Sequence, residues 1–586
     1  MTSKKVVAEI AEAFDQDEPS AYVSNLWDKF HMQRSGKVEE WLELRNYVFA
    51  TDTSSTSNAS LPWKNSTTLP KLCQIRDNLH SNYISSLFPN DNWMTWRGYS
   101  QEDSVRDKAE AIEAYMMNKA RESRSRTEFS RLLYDYIDYG NAFATVSFES
   151  NYKEHPDGTL IPEYVGPRVH RISPLDIVFN PIASNFQDTF KVVRSIKTIG
   201  ELKRLAELDP EQGYWLEALD RRKELLKRLG GYSIEDFNKA VGYSVDGFGS
   251  LFEYYQSDYV EILTFYGDVH DKETGELRTN QQITVVDRSF TVDQRDIPSW
   301  LGHAPIYHVG WRFRPDNLWA MGPLDNLVGM QYRIDHLENL KADAMDLCVH
   351  PPLKIIGEVE EFVWGPNAEI HIDENGDVQE LGQNLNGIIT ATNEIAALED
   401  RMEMYAGAPR EAMGVRTPGE KTALEVQTLS NAAGRIFQEK ITTFEIELLE
   451  PVLNAMLETA KRNMDQADVI RVMDPDVGLE TFLTVTKEDI TANGKLRPIG
   501  ARHFAKQAQD LQNLVGVFNS PIGQMVAPHT SGKEMSKFVS DVMGLKGWNI
   551  FRPNVAVSEQ METQGLMNQA QEDLMTQMEA PAEGPV

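Results

Sequence analysis

TALEVQTLSNAAGRIFQEKITTFEIELLEPVLNAMLETAKRNM, Thr422–Met464, places apolar side chains at Val426, Leu429, Ala433, Ile436, Phe437, Phe444, Leu448, Val452 and Met456. Steps of three and four residues put these on one face of a helix, so the spacing predicts a single long rod with a buried stripe. Thr422 and Glu425 form a T-x-x-E capping box at its start, the hydroxyl and the carboxylate each satisfying an amide of the first turn. Pro451 has no amide hydrogen and crowds the preceding turn, which predicts a bend near Ile446–Glu450. At ~1.5 Å per residue the rod runs about 40 Å before the bend. Just upstream, GAPREAMGVRTPGEK (Gly407–Lys421) is rich in Gly and Pro and carries Arg410, Arg416 and Lys421. A flexible cationic loop feeding a long bent helix is unusual for an enzyme core.

Working outward, Pro323–Cys348 reads as a second long helix, with Leu327, Met330, Ile334, Leu337, Ala344 and Leu347 on one side and Pro351-Pro352 as its stop. PLKIIGEVEEFVWGPNAEIHIDENGDVQEL then gives short strands joined by tight turns, and a third helix spans Thr392–Met404. Two antiparallel helices therefore carry a small α/β tip. The first fifty residues read as helical, Thr51–Ser60 as a Ser/Thr/Asn-rich loop, and Leu72, Ile75, Leu79 and Ile84 as the apolar face of another helix. Trp93 and Trp96 read as core plugs. Helices over 101–123 and 126–139 lead to Gly140, where DYGNAFATVSF switches to strand period. Strand-like runs (PRVHRISPLDIVFNP, YVEILTFYGDV, QQITVVD) follow, with one charged helical piece, GELKRLAELDPEQGYWLEALDRRKELLKRL, among them. Beyond the long rod, ADVIRVM and ETFLTV resume strand character, and 501–545 turns helical again. No Lys or Arg follows Arg552, and that Gln/Met/Glu-rich end reads as a mobile tail.

Composition narrows the function classes. With 89 Asp plus Glu against 58 Lys plus Arg, the 586-residue chain has a net charge of -31, so its bulk surface is unsuited to gripping nucleic acid. A channel past which DNA slides without sticking is compatible with that charge. Cys73 and Cys348 are the only cysteines, which argues against a disulfide framework and a zinc site. No run of 18 apolar residues exists, so no membrane span is expected.

Three motifs imitate chemistry. GVRTPGEKT (Gly414–Thr422) resembles a phosphate-binding P-loop, but Glu420 is inserted between the second Gly and Lys421, where it breaks the register and opposes phosphate. Asp373-Glu374-Asn375-Gly376-Asp377 has its Gly at the fourth position instead of the sixth that a calcium loop needs, and reads as a hairpin turn. His303 and His308 lack companion ligands in sequence and read as structural. No nucleophile with base and orienter is visible, so no enzyme, cofactor or metal is expected.

The order of these elements resembles that of phage portal proteins, the head-to-tail connectors, particularly those of short-tailed phages. LPWKNSTTLPKLCQIRDNLHSNYISSLFPNDNWMTW, YGNAFATVSF, NLWAMGPLDNLVGMQYRIDHLENLKADAM and TALEVQTLSNAAGRIFQEKITTFEIELLEPVL carry the resemblance, which covers most of residues 21–550. It implies an α+β, mainly helical portal fold: wing at 1–323, stem helices at 324–348 and 392–406, and clip at 349–391. It further implies a tunnel loop at 407–421, the long kinked helix at 422–466, wing strands at 467–500, and a helical crown at 501–552 before the flexible acidic tail at 553–586.

Functionally, the resemblance implies a homo-oligomeric ring, a dodecamer, at one vertex of the virion capsid, assembled in the host cytoplasm. Double-stranded DNA would pass through it without sequence specificity during packaging and ejection. Arg410, Arg416 and Lys421 would face that DNA. Glu358, Glu360, Glu361, Trp364, Asp373 and Asp377 would form the clip interface for the terminase large subunit and the tail adaptor protein, and Pro451 would kink the long helix. Major capsid and scaffolding proteins would be further partners, with no membrane involved. A motor ATPase using the P-loop-like segment, and a virion adaptor that forms no ring, are the alternative readings.

Overall fold

A computed structural model describes residues 14, 18–61, 64–89, 93–99, 103–154, 160–208, 213–228, 257–271, 275–297, 302–349, 351–357, 376–380, 385–406, 437–464, 468–473, 480–491 and 493–499. In chain order the elements are α1 (Pro19–Gln33), α2 (Ser35–Phe49), α3 (Lys71–Leu87), β1 (Met94–Gly98), α4 (Asp103–Glu122), α5 (Ser125–Asp138), β2 (Asn141–Glu154), β3 (Leu160–Ile172), β4 (Ile177–Phe179) and β5 (Lys191–Thr198). There follow α6 (Ile199–Leu208), α7 (Tyr214–Arg228), β6 (Tyr259–His270), β7 (Leu277–Val286), β8 (Phe290–Asp296), β9 (Ile306–Gly310), β10 (Arg312–Arg314), β11 (Asn317–Met321) and α8 (Val328–Val349). The last are β12 (Leu353–Ile356), β13 (Asp377–Glu380), α9 (Leu385–Tyr405), α10 (Glu450–Asn463), β14 (Asp468–Met473), β15 (Glu480–Val485), α11 (Lys487–Ile490) and β16 (Gly494–Pro498). The class is α+β. The chain divides into two compact units, Met1–Ile84 with Ser123–Thr459, and Ser85–Glu122 with Ala460–Val586.

In the larger unit, β4-β5-β6-β7-β8 form an antiparallel sheet in sequence order. Alternation along β6 sends Leu263 and Phe265 to one face, where Val23, Leu26 and Trp27 of α1 cover them, and Val260 and Ile262 to the other, beneath α6 and α7. Each such side chain contributes roughly 1.5–3 kcal/mol when fully buried. A second sheet, β3-β2-β9, meets α5 through Arg171, whose guanidinium bonds both oxygens of buried Asp135 at 2.5 and 2.7 Å. Gly140 precedes β2 with φ 67°, and a Cβ there would fall 2.3 Å from the amide nitrogen of Gly322, so glycine is required by both conformation and space.

Several expectations shift in detail. Of the first fifty residues, 19–49 are two helices, broken at Arg34, whose guanidinium donates to the carbonyls of Pro174, Leu175 and Ile177, and 1–13 and 15–17 lie outside the described residues. Thr51–Ser60 holds two short 3₁₀ turns, Thr53–Ser55 and Ser57–Ser60. The charged piece near 200–229 is two helices, α6 and α7, with Pro210 in the gap between them. Residues 324–327 form a turn, and α8 starts at Val328. Helix α9 starts at Leu385, seven residues before Thr392, and the hydroxyls of Thr390 and Thr392 are satisfied within it by the carbonyls of Asn386 and Ile388.

Helix resumes at 437, and Glu445–Leu449 is a π-turn in which the amide of Glu450 bonds Glu445 five residues back. The wide turn lies directly before Pro451, where the missing amide was expected to interrupt the ladder. Tyr83 stacks on Phe437 at 4.7 Å and Tyr136 meets Phe444 at 5.3 Å, which fixes this segment to α3 and α5. The capping box at Thr422, the helix through 422–436, and everything from 501 onward lie outside the described residues.

In the smaller unit, β1 pairs antiparallel with β16, with Trp96 opposite Leu496. Trp93 and Trp96 are buried, as expected of core plugs. Glu113 of α4 accepts the Trp96 amide and the Thr95 hydroxyl, both at 2.7 Å, and so terminates the ladder edge. β14 and β15 form a hairpin with Ile470 opposite Leu483, and Thr486 with Asp489 caps α11.

Candidate functional site

The functional assignment rests on α8, β12, β13 and α9, all in the larger unit. β12 and β13 pair antiparallel from Leu353 opposite Glu380 to Ile356 opposite Asp377, and α8 and α9 pack on one another. Ile395, Leu398 and Met402 of α9, and Ala406 just past its end, are buried at helical spacing.

The buried face of α8 is polar. Gln331, Asp335 and Asn339 have 0% exposure and recur every fourth residue, with Asp343 one turn further. Against them lies segment 64–72, extended as far as Pro70 and helical from Lys71, run in the opposite direction. Asn339 receives the amide of Thr67 and donates to its carbonyl, both at 2.8 Å. Leu69 is satisfied likewise, its amide by Asp335 at 3.0 Å and its carbonyl by Gln331 at 2.5 Å. Asp343 takes the amides of Asn65 at 3.0 Å and Lys64 at 3.2 Å. The match is metric: two residues of extended chain advance roughly 6.6 Å and four of helix ~6 Å, so side chains at i, i+4 and i+8 meet alternate backbone units. Pro70 helps by holding Leu69 extended. Lys71 then pairs with Glu403 of α9 at 2.5 Å, both buried.

Electrostatics follow from this burial. Asp335 is pushed up to about 6 by loss of water, against the pull of the Leu69 amide and Gln331, and its Oδ2 is buried without a hydrogen-bond partner. At Asp343 burial also acts upward, but the Lys64 and Asn65 amides outweigh it and the net shift is down.

Apolar side chains of the same elements also stand in water. Leu340, Met345, Leu347 and Val349 of α8, Ile355 and Ile356 of β12 and Ile389 of α9 are exposed, Val349 to 71% and Ile389 to 60%. The apolar stripe expected to be buried along α8 is so at Leu327 and Ile334 but emerges into water at Leu347.

Among the residues expected to carry function, Asp377 is described: it is exposed at the start of β13 and accepts a hydrogen bond from Gln379 at 2.6 Å. Pro451 sits in the first turn of α10, after the π-turn. Arg410, Arg416, Lys421, Glu358, Glu360, Glu361, Trp364 and Asp373 lie outside the described residues, as do the P-loop-like and calcium-loop-like segments apart from Gly376 and Asp377. His308 is buried against Asn141 at 3.1 Å and is lowered to about 3, chiefly by burial and further by Lys191. His303 bonds the Ala304 carbonyl. Both hold backbone or neighbours in place, as structural histidines do.

Ser147, His170 and Glu149 cluster on the β2–β3 ladder, but Nε2 of His170 meets both Ser147 Oγ (2.9 Å) and Glu149 Oε1 (2.8 Å). A triad needs the acid on the other ring nitrogen, so this is not one. Among the described residues no group of three or more His, Cys, Asp or Glu side chains could hold a metal ion, and no helix is long and apolar enough to cross a membrane. The polar spine was not anticipated from sequence, although Q-x₃-D-x₃-N-x₃-D was its visible signal. A scan against protein-family models finds no match to this chain, and a search of curated proteins finds none either.

Proposed function

We propose that copies of this chain close into a portal-type ring at one capsid vertex, a channel through which double-stranded DNA is packaged and ejected. The observation that carries this reading is the set of apolar side chains left exposed on α8, β12 and α9, beside a polar row of α8 that is already satisfied by the 64–72 segment. Apolar side chains left in water on a well-anchored pair of helices call for a protein partner. Neighbouring copies of the same chain supply one, because a ring presents the same surface to every subunit. A net charge of -31 suits a wall that DNA must pass without adhering. In this reading α8 and α9 are the stem, 349–391 is the clip that meets the terminase large subunit and then the tail adaptor protein, and Arg410, Arg416 and Lys421 touch phosphate from a tunnel loop. Twelve copies, contacts with capsid and scaffolding proteins, and the absence of covalent chemistry belong to the same proposal.

Negative-stain imaging and light scattering of the purified full-length protein test it. Annular particles of uniform subunit number are expected; a chain that stays single under every assembly condition overturns the reading. Replacing Arg410, Arg416 and Lys421 together with Ala is expected to leave the rings intact while DNA packaging or retention falls. Unchanged packaging and retention would remove the tunnel-loop assignment.

A further inference from the structure

Away from the helix pair, a cleft of about 250 Å³ opens between α1, α2 and the β10–β11 hairpin. Its floor is aromatic: Trp319 stacks on Phe179 at 4.6 Å and meets the edge of Trp41 at 5.5 Å, and the half-buried ring of Phe30 adds a wall. Charge at this place runs against the rest of the molecule. Arg34, Lys37 and Arg314 line the cleft with Glu40 as their one acidic companion there, in a chain of net charge -31. Lys37 is shared between Glu40 at 2.8 Å and Asp325 at 2.9 Å, so it is already satisfied. Arg314 is different. It is exposed, its described contact is the Met321 sulfur at 3.4 Å, and no carboxylate among the described residues pairs with it.

We propose that this cleft binds a small molecule that joins a flat aromatic ring to an anionic group, the ring against Trp319 and Phe30 and the anion on Arg314. A ring over aromatic faces gains apolar contact and stacking, and a guanidinium matches the oxygens of a carboxylate or phosphate in a planar fork. The volume suits one ring system and excludes a duplex. A nucleoside monophosphate and an aromatic carboxylate share this chemistry. The proposal is independent of ring assembly.

The test is calorimetric titration of the full-length protein with deoxyadenosine monophosphate, indole-3-acetate, indole alone and inorganic phosphate. At least one of the two ring-plus-anion probes is expected to bind about tenfold or more tightly than indole or phosphate, and the tighter of the two identifies the source of ligand. Arg314→Gln is expected to weaken that probe about tenfold, the loss of one charge-assisted contact. Gln33→Trp, at another exposed lining position, is expected to block the cleft and abolish binding. Both substitutions sit on the surface, and unchanged circular dichroism confirms that the fold is kept. Indole or phosphate binding as well as the tighter two-part probe, no binding of either two-part probe at millimolar concentration, or a full response in Arg314→Gln would each overturn the proposal.

Discussion

Along β6, Leu263 and Phe265 go under α1 while Val260 and Ile262 go under α6 and α7, and the buried acid of that strand, Glu261, is clasped by Arg288 through two bonds of 2.9 Å. Along α8 the arrangement is inverted: Gln331, Asp335 and Asn339 are sealed inside and Leu347 and Val349 stand in water. The sheet buries the central side chains of β6 on both faces within one chain. Helix α8 instead buries a row of directional polar contacts, which fix position and register, and carries apolar side chains that stay exposed. If copies of the chain cover those side chains, as proposed, stability and assembly fall to different residues, and substitution can separate them.

The largest effect is expected in the sheet. Leu263→Ala leaves a cavity in the core shared with α1 and should cost ~2–5 kcal/mol, read as a lowered thermal midpoint, with any association of copies unchanged at permissive temperature. Next comes the spine. Asn339→Leu strands the amide and carbonyl of Thr67, at about 1–3 kcal/mol for each buried group left unsatisfied. Hydrogen exchange should show protection lost across 64–72 and retained in β5 and β6. Parallel loss in both places would mean that the two regions are one cooperative unit, and the comparison would fail.

How much of this was legible depends on the range of the interactions. Local rules served well: the switch to strand after Gly140, the stop at Pro351-Pro352 and the disturbed turn before Pro451 all follow from glycine and proline chemistry within a few residues. The early start of α9 was hidden because Gly387, Ile388, Ile389, Thr390 and Thr392 are poor helix formers. The spine was hidden for another reason. Its partners stand about 270 positions apart and pair side chain to backbone, so the four-residue polar period of α8 does not say which segment it meets. The same holds for β1 and β16. Leu347, exposed near the end of α8, was read as part of an apolar helix face, because periodicity marks which residues are apolar and not whether one chain can cover them.

A smaller effect is expected from pH. Asp335 is held at about 6, above the ordinary carboxylate value of 3.8, so the native state binds its proton more tightly than the unfolded chain does. That contribution is complete below 3.8 and is lost as pH rises through about 6; above this the buried carboxylate costs roughly 3 kcal/mol. Asp335→Asn keeps an oxygen for the Leu69 amide and removes the charge. The native protein should therefore lose stability relative to the variant between about pH 4 and 6, measured as the difference of their unfolding midpoints. A constant difference across that range would show that Asp335 is solvated in solution. No such dependence is expected when the comparison is made at the sheet.

The smallest effect on the single chain should be the most telling for the whole. Leu347→Ser with Val349→Ser changes side chains already 41% and 71% exposed, so unfolding of the isolated chain should move by about 0.5 kcal/mol or less. Association is another matter. If copies cover this surface, each subunit loses both apolar contacts, and roughly 25 cal/mol per Å² of burial is forfeited at every interface around the closed ring. Light scattering should then show single chains or partial rings at concentrations where the native protein is annular. Asn339→Leu gives the opposite pattern, with local protection lost first. If the double Ser variant assembled as well as the native chain, the exposed residues would lie outside the subunit interface, and the inverted burial of α8 would need a partner of another kind.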